Sequence, residues 1–157
     1  MAPADLERIL DRLANRHGLR PGAEISIEAN PEDIDADTAR ALCVVGFNRL
    51  SLGVQSLDGA VLQSLGRAHD ARQALDAVGA ARRAGFGSVS IDLIFGTPGE
   101  SIGEWRTTVD QALAAEVVLP HSVHNDSRGE GVVAVGRPAR EGQAPPLHVD
   151  GNGVPFS

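Results

Sequence analysis

Leu6, Ile9, Leu10 and Leu13 recur at helical spacing, so residues 4–16 read as an amphipathic helix with Gly18 as its C-terminal cap. The period then changes. Glu24-Ile25-Ser26-Ile27-Glu28 alternates polar and apolar positions before Asn30-Pro31, the pattern of a short strand stopped by a turn. Asp35 opens a second helix through Ala39, Leu42 and Cys43, which ends at Gly46. The unit then repeats, with Asn48-Arg49-Leu50-Ser51-Leu52-Gly53-Val54 as a strand, Asp58 as an N-cap, and a short helix through Val61, Leu62 and Leu65. A longer helix, capped by Asp70 and stopped by Gly85, carries Ala74, Leu75, Val78 and Ala81. Val89-Ser90-Ile91-Asp92-Leu93-Ile94-Phe95 is the third strand. Gly96-Thr97-Pro98-Gly99 turns it into a helix opened by the capping box Ser101-Ile102-Gly103-Glu104 and continued through Trp105, Val109, Ala112 and Leu113.

Strands alternating with helices imply a parallel sheet, because right-handed helical crossovers let consecutive strands run in one direction. The fold class is therefore α/β, with about three βα units. A doubly wound sheet and a partial parallel (β/α) barrel both fit that alternation. Beyond Glu116 the pattern is lost: Pro120, Pro138, Pro145, Pro146 and Pro155 interleave with glycines, and no helical stripe persists. Residues 117–157 are expected to form an irregular tail to a domain over residues 1–116. Gly131-Val132-Val133-Ala134-Val135 has the composition of a strand, but nothing in the repeat anchors it.

Composition narrows the classes. The 157 residues suit one domain. With 42% apolar and only 3% aromatic residues, Ala, Leu and Val must build its core. A net charge of −7 disfavours a nucleic-acid surface or an anionic membrane, and Arg82-Arg83 is the only adjacent basic pair before the tail. No apolar run is long enough for a membrane span and the N-terminus lacks a secretory signal, so a cytoplasmic location is expected. The single cysteine, Cys43, excludes an internal disulfide and a multi-cysteine metal site, and its place on an apolar helix face suits a small hydrophobe.

In parallel α/β folds the C-terminal strand ends and the loops that follow face the ligand. Glu28 ends the first strand, Gln55 follows the second, Asp92 lies within the apolar third, and Arg67 sits in the loop after the short helix. A carboxylate pair, an amide and a guanidinium suit a zwitterionic amino-acid ligand: carboxylates bind an ammonium or ribose hydroxyls, and Arg grips a carboxylate. Glu28 reads equally well as a surface ion-pair partner. Asp92 is harder to dismiss, because a carboxylate among Ile91, Leu93 and Ile94 is costly to bury without a partner. Gly96-Thr97-Pro98-Gly99 could offer backbone N–H groups to a phosphate, yet it lacks the P-loop Lys and reads better as a tight turn. His121 and His124 have metal-like spacing without a third ligand, so no metal ligand or catalytic residue is assigned.

These residues also carry a resemblance. Ile27-Glu28-Ala29-Asn30-Pro31, the run from Gly46 to Ser56, Leu65-Gly66-Arg67-Ala68-His69 and the run from Ile91 to Gly99 resemble, in order and spacing, one family. It is the radical S-adenosylmethionine family of oxygen-independent coproporphyrinogen III oxidases and their haem-chaperone relatives. The resemblance covers roughly residues 20–115, and its Glu-Ala-Asn-Pro and Gly-Arg-Ala-His forms lie nearer the chaperone branch. It implies a partial (β/α) barrel holding a [4Fe–4S] cluster and S-adenosylmethionine, with Glu28, Gln55, Arg67 and Asp92 at cofactor-binding positions. In complete members it implies cleavage of the cofactor to a 5′-deoxyadenosyl radical, or the binding and transfer of haem, so haem or a porphyrin is the partner expected.

The departures set a further expectation. The family's Cys-x3-Cys-x2-Cys loop and the glycine-rich strand end after it are missing, and Cys43 cannot replace three thiolates. The chain therefore reads as a truncated member that keeps part of the cofactor cradle and is inactive alone. Its tail resembles no part of the family and has the composition of a shifted reading frame in GC-rich DNA. The rival reading is a non-catalytic βα module that binds an adenosine-type or phosphorylated ligand, or completes its sheet with another chain or a second copy, since unpaired strand edges seek partners.

Overall fold

The computed structural model describes residues 2–115 and the backbone of 122–125 and 131–134. The elements are α1 (Pro3–His17), β1 (Ser26–Ala29), a 3-10 turn (Pro31–Asp33), α2 (Ala36–Val45), β2 (Arg49–Gln55), α3 (Gly59–Ser64), α4 (Ala71–Ala84), β3 (Ser88–Phe95) and α5 (Ile102–Ala114). Two short strands follow, β4 (Ser122–Asn125) and β5 (Gly131–Ala134).

The helices begin where side chains can satisfy free backbone N–H groups. Asp35 accepts from Thr38 N–H at 2.7 Å, Asp58 from Ala60 and Val61 at 2.8 and 3.0 Å, and Asp70 from Gln73 at 2.7 Å. Ser101 and Glu104 close both halves of a capping box on α5. Gly46 and Gly85, at φ 115° and 101°, end α2 and α4 in the left-handed region that a Cβ disfavours.

β1, β2 and β3 pair in parallel, in chain order. Leu50, Leu52 and Val54 of β2 and Val89, Ile91 and Leu93 of β3 join one buried cluster with Ala39 and Leu42 of α2, Ala74, Ala77, Val78 and Ala81 of α4, and Ala112 of α5. The helices thus share one side of the sheet. That is the arrangement of a partial barrel rather than of a sheet wound on both faces. Alanine on α2 and α4 lets these helices pack closely, and Phe47 and Phe86, just beyond their ends, fill the same cluster.

β5 adds antiparallel to β3, and β4 pairs with β5. Gly131–Ala134, within the strand-like run, therefore does have an anchor, the free edge of β3, which no local pattern could disclose. The remainder of the segment expected to be irregular, with His121 and the side chain of His124, lies outside the described residues. In α1 and α5 the helical stripe is only partly buried: Leu113 of α5 is 53% exposed. In α1, Leu6 and Leu10 touch the core, but Ile9 and Leu13 remain 45% and 46% exposed, since α1 packs chiefly on α2.

Asn48 ties the N-terminal ends of the three parallel strands together. Its side chain accepts from Ile25 N–H and donates to the Ala23 carbonyl, both at 2.8 Å, while its own carbonyl accepts from Gly87 and Ser88. Asn48→Ala removes two hydrogen bonds and is expected to lower stability by about 1–3 kcal/mol, read as a lower urea midpoint at unchanged slope. A loss within the scatter of ordinary surface substitutions would show that the strands do not need this tie.

Candidate functional site

Because strand side chains alternate, the positions between the buried residues face away from the helices. Along β1, β2 and β3 these are Glu28, then Ser51 and Gly53, then Ser90 and Asp92. Glu28, Ser51 and Ser90 stand side by side in the sheet register. Ser90 Oγ donates to Ser51 Oγ at 3.1 Å, and Ser51 Oγ donates to Asp92 Oδ2 at 3.1 Å. The Asp92 carboxylate is thus held by a relay of two hydroxyls. Burial pushes its pKa up, the Ser51 hydrogen bond opposes that, the nearby Glu28 charge raises it further, and Arg49 lowers it.

Gln55 reaches this face by an irregular route. Leu52 pairs with Ile91 and Gln55 with Leu93, so three steps along β2 match two along β3, the signature of a bulge. Gln55 itself has φ 68°, the one positive value outside glycine among the described residues. Its Nε2 lies only 3.0 Å from where a Cβ on Gly53 would stand, and Asn30 Oδ1 lies 3.5 Å from the same point. The missing side chain at Gly53 therefore leaves room for the Gln55 amide beside Asn30.

Arg67 follows Gly66, whose φ of 65° turns the chain out of α3. It is half-buried and makes no side-chain hydrogen bond or ion pair among the described residues. Glu28, Gln55 and Asp92 come together on the polar face. Arg67 lies in the α3–α4 turn that follows β2, and no bond joins it to them. The Gly96–Gly99 turn is already filled, because one Glu100 carboxylate oxygen accepts from Gly96 and Thr97 N–H at 2.9 and 3.2 Å. These N–H groups are engaged from within the chain, which supports the turn reading over a phosphate cradle.

Two groups went unnoticed as individual residues in the sequence. Ser51 looks like an ordinary strand position, and only its register against Asp92 gives it a role. His69 is 3% exposed and bridges Glu32 Oε2 at 2.9 Å and the Val54 carbonyl at 3.0 Å. No cluster of three His, Cys, Asp or Glu suited to a metal occurs among the described residues. Cys43 packs partly against the core on the helix side, where burial raises its thiol pKa.

The fold and site define a class: a parallel βα protein of partial-barrel form, with a carboxylate-bearing polar face at its strand ends. The profile of the Radical SAM superfamily matches residues 1–112, and the chain belongs to that superfamily. It is 36% identical over 121 residues to the heme chaperone HemW of Lactococcus lactis subsp. lactis, covering 77% of this chain and 31% of that protein. It is 39% identical over 104 residues to the mitochondrial radical S-adenosyl methionine domain-containing protein 1 of Bos taurus, covering 66% and 24%. The solved structure of coproporphyrinogen III oxidase (HemN) from Escherichia coli, a radical SAM enzyme, aligns with a TM-score of 0.69 at 32% identity, over 74% of this chain and 27% of that one. The chain thus spans less than a third of the length of these relatives.

The raised Asp92 pKa has a stability consequence of definite sign. A carboxyl that holds its proton more tightly in the fold contributes fully below its ordinary value of 3.8, and the contribution is lost as pH rises through the raised value. Asp92→Asn keeps an acceptor for Ser51 and cannot ionise. Its stability relative to the parent is expected to improve as pH rises above about 4 and to level off once pH has passed the raised value, measured by urea unfolding. A flat trend would mean that Asp92 ionises as freely in the fold as in the unfolded chain, and an opposite one that it ionises more readily there.

Proposed function

We propose that residues 24–100 form part of the S-adenosylmethionine cradle of a radical SAM protein of the haem-chaperone and coproporphyrinogen-oxidase type. The observation that carries this reading is the half-buried Asp92 carboxylate, held by Ser51 beside Glu28, on the same face as the Gln55 amide. Two neighbouring carboxylates that repel each other are relieved by a ligand that brings hydroxyl or ammonium donors. S-adenosylmethionine has both, in its ribose diol and its amino group. The Gln55 amide offers a donor and an acceptor to ribose or adenine edges, and Arg67 is the cation available to the methionine carboxylate. When bound, the cofactor supplies an activated sulfonium. These residues orient it.

Complete members of the superfamily also carry a [4Fe–4S] cluster, and for that group the donor set does not fit. A cluster is held by several thiolates, whereas this sequence has one cysteine, placed on the helix side. The proposed role is therefore cofactor binding, with any cluster held by cysteines outside these residues. Haem or a porphyrin is the ligand proposed for the whole protein, on the strength of relatives named heme chaperone and coproporphyrinogen III oxidase. The phosphorylated-ligand reading loses its seat, because Glu100 occupies the turn that would receive a phosphate. No helix among the described residues is long and apolar enough to cross a membrane.

Titration calorimetry with S-adenosylmethionine tests the cradle. Glu28→Ala, Gln55→Ala, Arg67→Ala and Asp92→Ala are each expected to weaken binding roughly tenfold or more, the effect of one lost hydrogen bond to a charged group. Gly53→Ala is expected to weaken it with little loss of stability, since its Cβ displaces only the mobile end of Gln55. Equal affinity for ATP, or indifference to all five substitutions, would refute the assignment.

A further inference from the structure

We propose that His69 is a positioning residue for Gln55: together with Glu32 it grips the Val54 carbonyl and so maintains the turn that aims the Gln55 amide. Ser56 N–H donates to the Val54 carbonyl at 2.8 Å, an i to i+2 bond around Gln55, whose φ is 68°. Such a γ-turn with positive central φ is rare and strained. Strain of this kind persists only where the surroundings impose it.

The surroundings here are specific. A carbonyl can only accept, so His69 Nε2 carries a hydrogen and donates to Val54 O at 3.0 Å, alongside Ser56. The other ring nitrogen donates to the Glu32 carboxylate at 2.9 Å, and the two acceptors together fix the plane of the ring. Glu32 belongs to the Pro31–Asp33 turn that leaves β1, directly after Asn30, the residue beside the Gln55 amide. On the far side of the turn, Ser56 is buried and its hydroxyl accepts from Asp58 N–H at 3.1 Å. The ring therefore couples the ends of β1 and β2, the two strands that carry Glu28 and Gln55. It also lies two residues beyond Arg67.

That Gln55 contacts a cofactor rests on the proposed cradle; the turn and its clamp do not. The experiment separates them. Hydrogen exchange of the Ser56 amide, followed by NMR, is compared with that of Ala39 in α2, whose amide bonds to Asp35 on another part of the fold. In His69→Leu the Ser56 amide is expected to exchange about tenfold faster relative to Ala39, and His69→Gln, which keeps a donor, is expected to restore most of the protection. If His69→Leu does not fold, Glu32→Ala, which removes the ring's second partner from a partly exposed site, gives the same comparison.

Binding supplies the second readout. His69→Leu, or Glu32→Ala in its place, is expected to lose affinity for S-adenosylmethionine, and Gln55→Ala in the same background is expected to add nothing. Ser56 and Ala39 accelerating in step, or affinity losses that simply multiply, would overturn the positioning role and leave an ordinary core histidine. If the parent chain binds no S-adenosylmethionine, the cradle reading fails, and the exchange ratio alone decides whether His69 holds the turn.

Discussion

The pairing of β2 with β3 is the constraint on which the rest of the molecule depends. Strand side chains alternate with a period of two, so a shift by one residue would carry Leu50, Leu52, Val54, Ile91 and Leu93 to the polar face together. Exposing five such residues would forfeit roughly 7–15 kcal/mol, as large as the whole stability of a typical domain. Register is therefore fixed by burial on the helix side. Asn48 reinforces it where the strands begin, and the bulge between Leu52 and Gln55 modifies it only at the far end.

The same constraint makes the site. Once the odd-numbered residues of β2 are turned away from the helices, Ser51 must meet Ser90 and Asp92, and Gly53 must lie beneath whatever Gln55 presents. A carboxylate in that row is electrostatically uncomfortable, being partly desolvated and close to a second acid. Such discomfort costs stability, and a ligand bearing donors relieves it. The Gly96–Glu100 turn shows the contrasting case, in which the chain supplies its own carboxylate and leaves those N–H groups nothing to recognise.

What was legible in the sequence follows from how local each interaction is. The caps at Asp35, Asp58, Asp70 and Ser101 act within a few residues, and each stands where spacing alone put it. Asp92 was visible as an anomaly, a carboxylate in an apolar strand. Gln55 could be placed after β2, but its aim depends on a bulge and a positive φ that leave no trace in periodicity. The partners of His69 lie 37 and 15 residues away, and the β3 edge that β5 takes is likewise distant from it in the chain. Barrel or doubly wound sheet was likewise undecidable from alternation. The answer lay in α2, α4 and α5 sharing one side. For α1, helical spacing located the helix but carried no information on how deeply it is buried, which depends on its packing on α2.

The central claim is that the C-terminal strand ends, on the face away from the helices, form one cofactor cradle. Amide NMR spectra of the chain titrated with S-adenosylmethionine test it most directly. Shifts concentrated at Glu28 to Asn30, Gly53 to Ser56 and Asp92 to Ile94, and absent when ATP is titrated instead, are the predicted result. Shifts confined to the helix side or to the Gly96–Gly99 turn, or no saturable shifts at all, would contradict the account.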